Sequence, residues 1–190
     1  MLENKIKAYL KENLSERRYK HTIGVSETAE KLAVLYGADT YKARIAGLGH
    51  DLAKEMNIEK QKEILKKNNF EISEIEELAP QILHGFVGAI LLKSKFGVED
   101  KEILNAIKFH STGRKEMSIL EKIIYIADYI EPNRVYDGVE KLRDITYKSL
   151  EDGVLEGLNN TMRIVLDRDR VIHPLTLEAR NYLIMEKMRK

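Results

Sequence analysis

Apolar positions recur every three or four residues along almost the whole chain, and no stretch alternates convincingly with period two. The pattern predicts helices throughout and no sheet. The punctuation agrees. Ser15 is placed to cap "ERRYKHTIGVSETAEKLAVLY", in which Ile23, Leu32 and Leu35 fall at roughly helical intervals, and Gly37 follows where a left-handed residue ends a helix. Asp39 caps a second segment, "TYKARIAGLGHDLAK". Further helices are predicted over 58–68, 81–96 (opened by Pro80 and closed by Gly97), 100–110, 118–131, about 139–167 and 176–188. In "SILEKIIYIADYIE" the β-branched residues follow the inward stripe of a helix. The predicted fold class is therefore all-α, a helical bundle. It reads as one unit over 1–190, with a core at about 15–135 and C-terminal helices at about 139–188. Two breaks, "HSTGRKEM" and "EPNRVYDGVE", contain both glycine and arginine and read as functional loops.

Composition narrows the chemistry. With 190 residues the chain is long enough to bury a continuous core. Its 32 basic and 31 acidic residues leave a formal charge of +1, without the basic footprint that a nucleic-acid binder needs. Any grip on an anion must be local. There are no cysteines, which excludes disulfides, iron–sulfur clusters and thiolate zinc and fits a reducing cytoplasm. The amino-terminal "MLENKIKAYLKENL" is broken by charge every few residues and lacks the apolar run of a signal peptide, and no segment offers about 18 uncharged apolar residues. A cytoplasmic protein without a membrane partner is the expectation.

Four of the five histidines fall into an order with two aspartates: His21, His50 beside Asp51, His84, His110, and Asp128 within "IIYIADYI". Each lies on or at the end of a different predicted helix. Taken singly, each histidine has an ordinary explanation as a hydrogen-bonded core residue. Asp128 resists one, because an unpaired carboxylate in so apolar a segment is costly to desolvate and a cation relieves it. Imidazole nitrogen and carboxylate oxygen converging inside a bundle have the composition of a two-metal site for borderline divalent ions. The adjacency of His50 and Asp51 then makes sense. One carboxylate can reach two ions about 3.5–4 Å apart, while one imidazole binds a single ion. Bridging water between such ions loses a proton readily and becomes a nucleophile, while both ions take up phosphoryl charge.

These residues carry a resemblance. The order H…HD…H…H…D in a helical chain resembles the HD-domain metal-dependent phosphohydrolases. The words "HDLAK", "HGFVGA", "KFHSTGR", "IADYIEPNR" and "GVEKLR" further resemble the YqeK-type symmetrical bis(5′-nucleosyl)-tetraphosphatases, over roughly residues 15 to 180. The resemblance implies a single HD-type domain that splits diadenosine tetraphosphate into two ADP by attack of a metal-bridging hydroxide. It implies a di-iron site, with Mn, Co, Ni, Zn or Mg as alternatives, and a homodimer. His21, His50, Asp51 and Asp128 would hold one metal, and Asp51, His84 and His110 the other. Phe86 is a departure, since proline is common there in the family.

A polyphosphate needs cations beyond the metals. Lys54, three residues after Asp51, can reach the same mouth and is expected to serve catalysis as well as binding. Arg114, Arg134 and Arg143 are further candidates, because a guanidinium fork matches phosphate. Thr112 and Gly113 are expected to shape the mouth. His173, in "VIHPLT", is assigned no chemistry. Two other functions compete with the tetraphosphatase reading: another nucleotide or deoxynucleotide phosphohydrolase of the same superfamily, and a non-catalytic HD-like signalling module. The second has no need of six ligands in order.

Overall fold

In a computed structural model describing residues 1–189, the helical periodicity resolves into eleven α-helices and a 3₁₀ turn, and no strand occurs among the described residues. They are α1 Leu2–Asn13, α2 Glu16–Tyr36, α3 Thr40–Gly49, α4 Ile58–Lys67, α5 Glu74–Leu78, α6 Leu83–Phe96, α7 Lys101–Lys108, α8 Ile119–Ile130, α9 Val139–Lys148, α10 Leu150–Leu166 and α11 Pro174–Arg189, with the 3₁₀ turn at Pro80–Ile82. None is long and apolar enough to cross a membrane.

The caps act as expected at α2: the Ser15 hydroxyl accepts from the amide of Arg18, and Gly37 is left-handed with φ 69°. Leu35, however, faces outward and is 51 % exposed, while Leu32 is buried. Two boundaries differ clearly from the sequence expectation, and two helices, α1 and α5, lie outside it. The helix expected to run through Lys54 stops at Gly49, and tight bonds from Leu52 to Gly49, Lys54 to Asp51 and Met56 to Ala53 carry the chain onward. The segment expected over 139–167 breaks at Ser149, which is extended (φ −152°) and caps α10 through the amide of Asp152. The charged amino terminus forms α1, burying Ile6 and Leu10 one turn apart.

The apolar core joins α1, α2, α3, α7 and α8 to α9, α10 and α11, from Ile6 to Leu183. A smaller cluster beside it contains Leu65, Leu83, Phe86 and Leu91. Phe86 lies inside α6, where its ring meets Phe70 at 4.7 Å, so the position that departs from the family pattern is a packing residue on a helix. The α2–α3 pair is the closest join. A Cβ on Gly47 would lie 2.6 Å from Ser26 Cα, so only glycine lets these backbones meet. That pair supplies His21 from one helix and His50 from the end of the other.

Candidate metal centre

Helix ends build this centre. Carbonyls in the last turn of a helix lack an intrahelical donor and can accept from a side chain instead. His50 lies just past α3 and its Nδ1 donates to Gly47 O at 2.7 Å, while His110, just past α7, donates from Nδ1 to Ile107 O at 2.7 Å. His84, at the start of α6, repeats the device on Gln81 O at 2.7 Å. This explains why the helices stop earlier than the periodicity suggests. An earlier end leaves the carbonyl three residues back available to the histidine. His21, inside α2, uses a carboxylate, its Nδ1 donating to Glu131 Oε1 at 3.0 Å.

A carbonyl can only accept, so the proton of each imidazole sits on Nδ1 and the Nε2 lone pair points inward. The four lone pairs converge. His84 Nε2 and His110 Nε2 are 3.0 Å apart, and His21 Nε2 is 3.0 Å from Asp128 Oδ1. Asp51 lies between, with Oδ2 at 3.3 Å from His50 Nε2 and 3.7 Å from His21 Nε2, and Oδ1 at 3.3 Å from His84 Nε2. His21 Nε2 and His50 Nε2 are buried with no hydrogen-bond partner, for their short distances to carboxylates lack hydrogen-bond geometry. Ligand atoms within 4.8 Å of one another fall into three sets: His21, His50 and Asp51; His50, His110 and Asp128; and Asp51, His84 and His110. Acceptors facing acceptors in a buried site require a cation, and neutral imidazoles with carboxylates suit divalent transition metals.

The electrostatics agree. Burial is the largest influence on His50 and pushes it down, but the Asp51 carboxylate, with Asp128 and the Gly47 carbonyl, outweighs it and the net shift is upward. Burial would raise Asp51, and His50 and His84 together hold it well below the usual carboxylate range. Burial, reinforced by His84 and His50, takes His110 down to about 3, so it stays a neutral donor at physiological pH.

Asp128 is less isolated than its apolar surroundings suggest. Its side chain is 19 % exposed, and Arg134 reaches Oδ1 at 2.5 Å and the Asp128 carbonyl at 2.7 Å. Arg134 therefore meets part of its charge, and the converging Nε2 atoms are the stronger sign of a metal. Sequence reasoning missed four neighbours. Arg18 donates to Asp51 Oδ2 at 2.9 Å. Glu131, 1 % exposed, orients His21 and accepts from Asn133 N at 2.7 Å and Asn133 Nδ2 at 2.9 Å. Ser111 lies 3.1 Å from His110 Nε2. The available signals were Arg18 one turn before His21 and the glutamate of "EPNR", which sequence reading took only as a helix end.

Of the cations expected at the mouth, Lys54 and Arg134 are there, with Lys54 Nζ 3.3 Å from His84 Nε2. Arg114 and Arg143 are bonded to other groups. Glu121 engages the Arg114 fork at 2.5 and 3.0 Å, tying its loop to the start of α8. Arg143 donates to the carbonyls of Ile130, Glu131 and Arg134 and brackets the loop after α8. Thr112 is buried and lines a cavity of about 230 Å³ beside the cluster, with Lys54, Ser111, Asp128 and His173. Gly113, at φ 66°, faces away from it, since a Cβ there would meet Ala179 Cβ at 3.2 Å.

Comparison with known proteins gives a consistent picture. The HD domain family matches residues 18–133. A symmetrical bis(5′-nucleosyl)-tetraphosphatase from Halalkalibacterium halodurans is 42 % identical over 178 residues, 94 % of this chain and 95 % of that protein. One from Bacillus subtilis is 39 % identical, over 93 % and 95 %. A crystal structure of a predicted HD superfamily hydrolase involved in NAD metabolism from Clostridium acetobutylicum superposes with a TM-score of 0.94 at 49 % identity, covering 96 % of this chain and 97 % of that one.

Proposed function

This chain belongs to the HD domain family, and on that premise we propose that it is a metal-dependent symmetrical bis(5′-nucleosyl)-tetraphosphatase, cleaving diadenosine tetraphosphate into two ADP. The observation that carries the reading is the convergence of four imidazole Nε2 atoms on two aspartates, with the Nε2 atoms of His21 and His50 buried and without a hydrogen-bond partner. That arrangement speaks against a non-catalytic module, which would gain nothing from buried acceptors in opposition.

His21, His50, Asp51, His84, His110 and Asp128 would hold two divalent cations, the Asp51 carboxylate lying between the two groups of imidazoles. Iron is the cation we propose, on the family resemblance. When bound, such a pair lowers the pKa of water toward neutrality and takes up phosphoryl oxygen charge.

The chain's own groups set the geometry. Glu131 and three backbone carbonyls fix the imidazole tautomers, as second-shell partners of metal ligands commonly do. Arg18 holds the Asp51 carboxylate in place. Lys54 and Arg134 bring two positive charges to the cluster, one beside His84 and one beside Asp128. They neutralise the phosphate chain around the reacting phosphorus. Departing ADP is already an anion, so its release calls for charge stabilisation and not for a general acid.

Anaerobic purification with metal analysis, followed by product identification across dinucleoside polyphosphates and mononucleotides, tests the proposal. Stoichiometric divalent metal and ADP as sole product from the adenosine tetraphosphate dimer are expected. Preferential release of phosphate from mononucleotides would favour the general phosphohydrolase instead.

A further inference from the structure

A substrate with a nucleoside at each end needs room on both sides of the bond that breaks. The cluster has such room. The 230 Å³ cavity already described lies on the Lys54 side. On the Arg134 side a second cavity, of about 830 Å³, opens between α8, the loop after it, α9 and α10. Asp128 and Tyr129 line both, so the two cavities flank the same end of α8 beside the metal ligands. The larger volume falls within the range of small-molecule sites, about 300–1,000 Å³, and the smaller one below it.

The walls of the larger cavity suit a nucleoside. Tyr136, Leu142 and Ile164 present aromatic and aliphatic surface, and Lys141 and Arg163 add positive charge. Tyr136 is 38 % exposed, and its hydroxyl donates to Tyr129 O at 3.0 Å, which fixes the ring over the end of α8. Arg163 is held by Glu156 and Asn160, at 3.0 and 2.7 Å. A fixed aromatic face is what a purine stacks on, and carboxylates and amides around it can accept from ribose hydroxyls and an exocyclic amine.

We propose that this cavity is the subsite for one nucleoside of the substrate, with Tyr136 as its stacking face, and that it distinguishes a two-nucleoside from a one-nucleoside polyphosphate. The inference rests on the tetraphosphatase reading for the identity of the ligand.

Two measurements on metal-loaded protein test it. In Tyr136→Leu, the ratio of kcat/KM for diadenosine tetraphosphate to that for adenosine tetraphosphate should fall about tenfold or more, the size of a lost base stack. An unchanged ratio would overturn the assignment. The chain has no tryptophan, so Tyr136→Trp introduces a single indole into the subsite. A methylene-bridged, non-cleavable diadenosine tetraphosphate should quench its emission saturably, and inorganic tetraphosphate should not. Equal response to both, or to neither, would contradict a nucleoside in this cavity. Should quenching occur without cleavage of diadenosine tetraphosphate by the wild type, the catalytic reading fails and the subsite stands.

Discussion

Glu131→Gln is the sharpest test of how the centre is held. Glu131 is 1 % exposed, and its two oxygens take three donors: His21 Nδ1 at 3.0 Å on one side, and Asn133 N at 2.7 Å and Nδ2 at 2.9 Å on the other. A carboxylate accepts on both sides, whereas an amide of the same shape accepts on only one. With the amide oxygen toward His21, its NH₂ confronts the Asn133 donors, and the backbone N–H among them cannot turn away. With the amide reversed, His21 loses its acceptor, and the proton on Nδ1 is no longer fixed. Either placement loosens His21 as a ligand without removing it. Losing a second-shell partner of this kind typically lowers metal affinity about 10- to 100-fold, or about 1.4–2.8 kcal/mol. Chelator-buffered titration of Mn²⁺ or Fe²⁺ into wild type and variant reads the affinity, with circular dichroism confirming that both remain helical. Affinity within twofold of wild type would refute the claim that Glu131 orients a ligand.

Three other outcomes are expected. Asp51→Ala should lose more metal than His84→Ala or His110→Ala, because its oxygens face both groups of imidazoles, and metal analysis of the three purified variants decides it. Lys54→Ala and Arg134→Ala should keep metal and helicity while kcat/KM for the tetraphosphate falls, since one charge-assisted hydrogen bond is worth about 1.5–3 kcal/mol, roughly one to two decades. Lys54 should affect kcat more, and metal loss in either variant would mean that these are not phosphate groups. Gly47→Ala places a Cβ 2.6 Å from Ser26 Cα and must part α2 from α3; thermal melts should show destabilisation of about 1–3 kcal/mol, and an unchanged midpoint would show that the pair is less tightly joined than it looks.

Helical class, the caps at Ser15 and Asp39 and the six histidine and aspartate positions were legible because each rests on local pattern or residue type. What escaped was set by tertiary contact. Nothing in the spacing of "RIAGLGHDLAKEM" says that α3 ends at Gly49, because the end is fixed by the Gly47 carbonyl that His50 needs. Ser149 breaks the long C-terminal segment through a serine followed by an acid three residues on, a signal present in "SLED" but overshadowed by continuous apolar spacing. Arg114, Arg134 and Arg143 look alike in sequence, and only the partners Glu121, Asp128 and the carbonyls after α8 separate a brace from a mouth residue. Glu131 reads as a helix stop until His21, 110 residues away in the chain, is seen to donate to it.

The most direct test of the central claim is cleavage of diadenosine tetraphosphate by the metal-loaded protein in ¹⁸O-labelled water, with mass analysis of every product and a parallel reaction in chelator. The account predicts ADP alone, half of it carrying one solvent oxygen, no phosphorylated protein, and no reaction until metal is restored to the chelated sample. ATP with AMP as products, a trapped phosphoenzyme, or cleavage that continues undiminished after metal removal would contradict it.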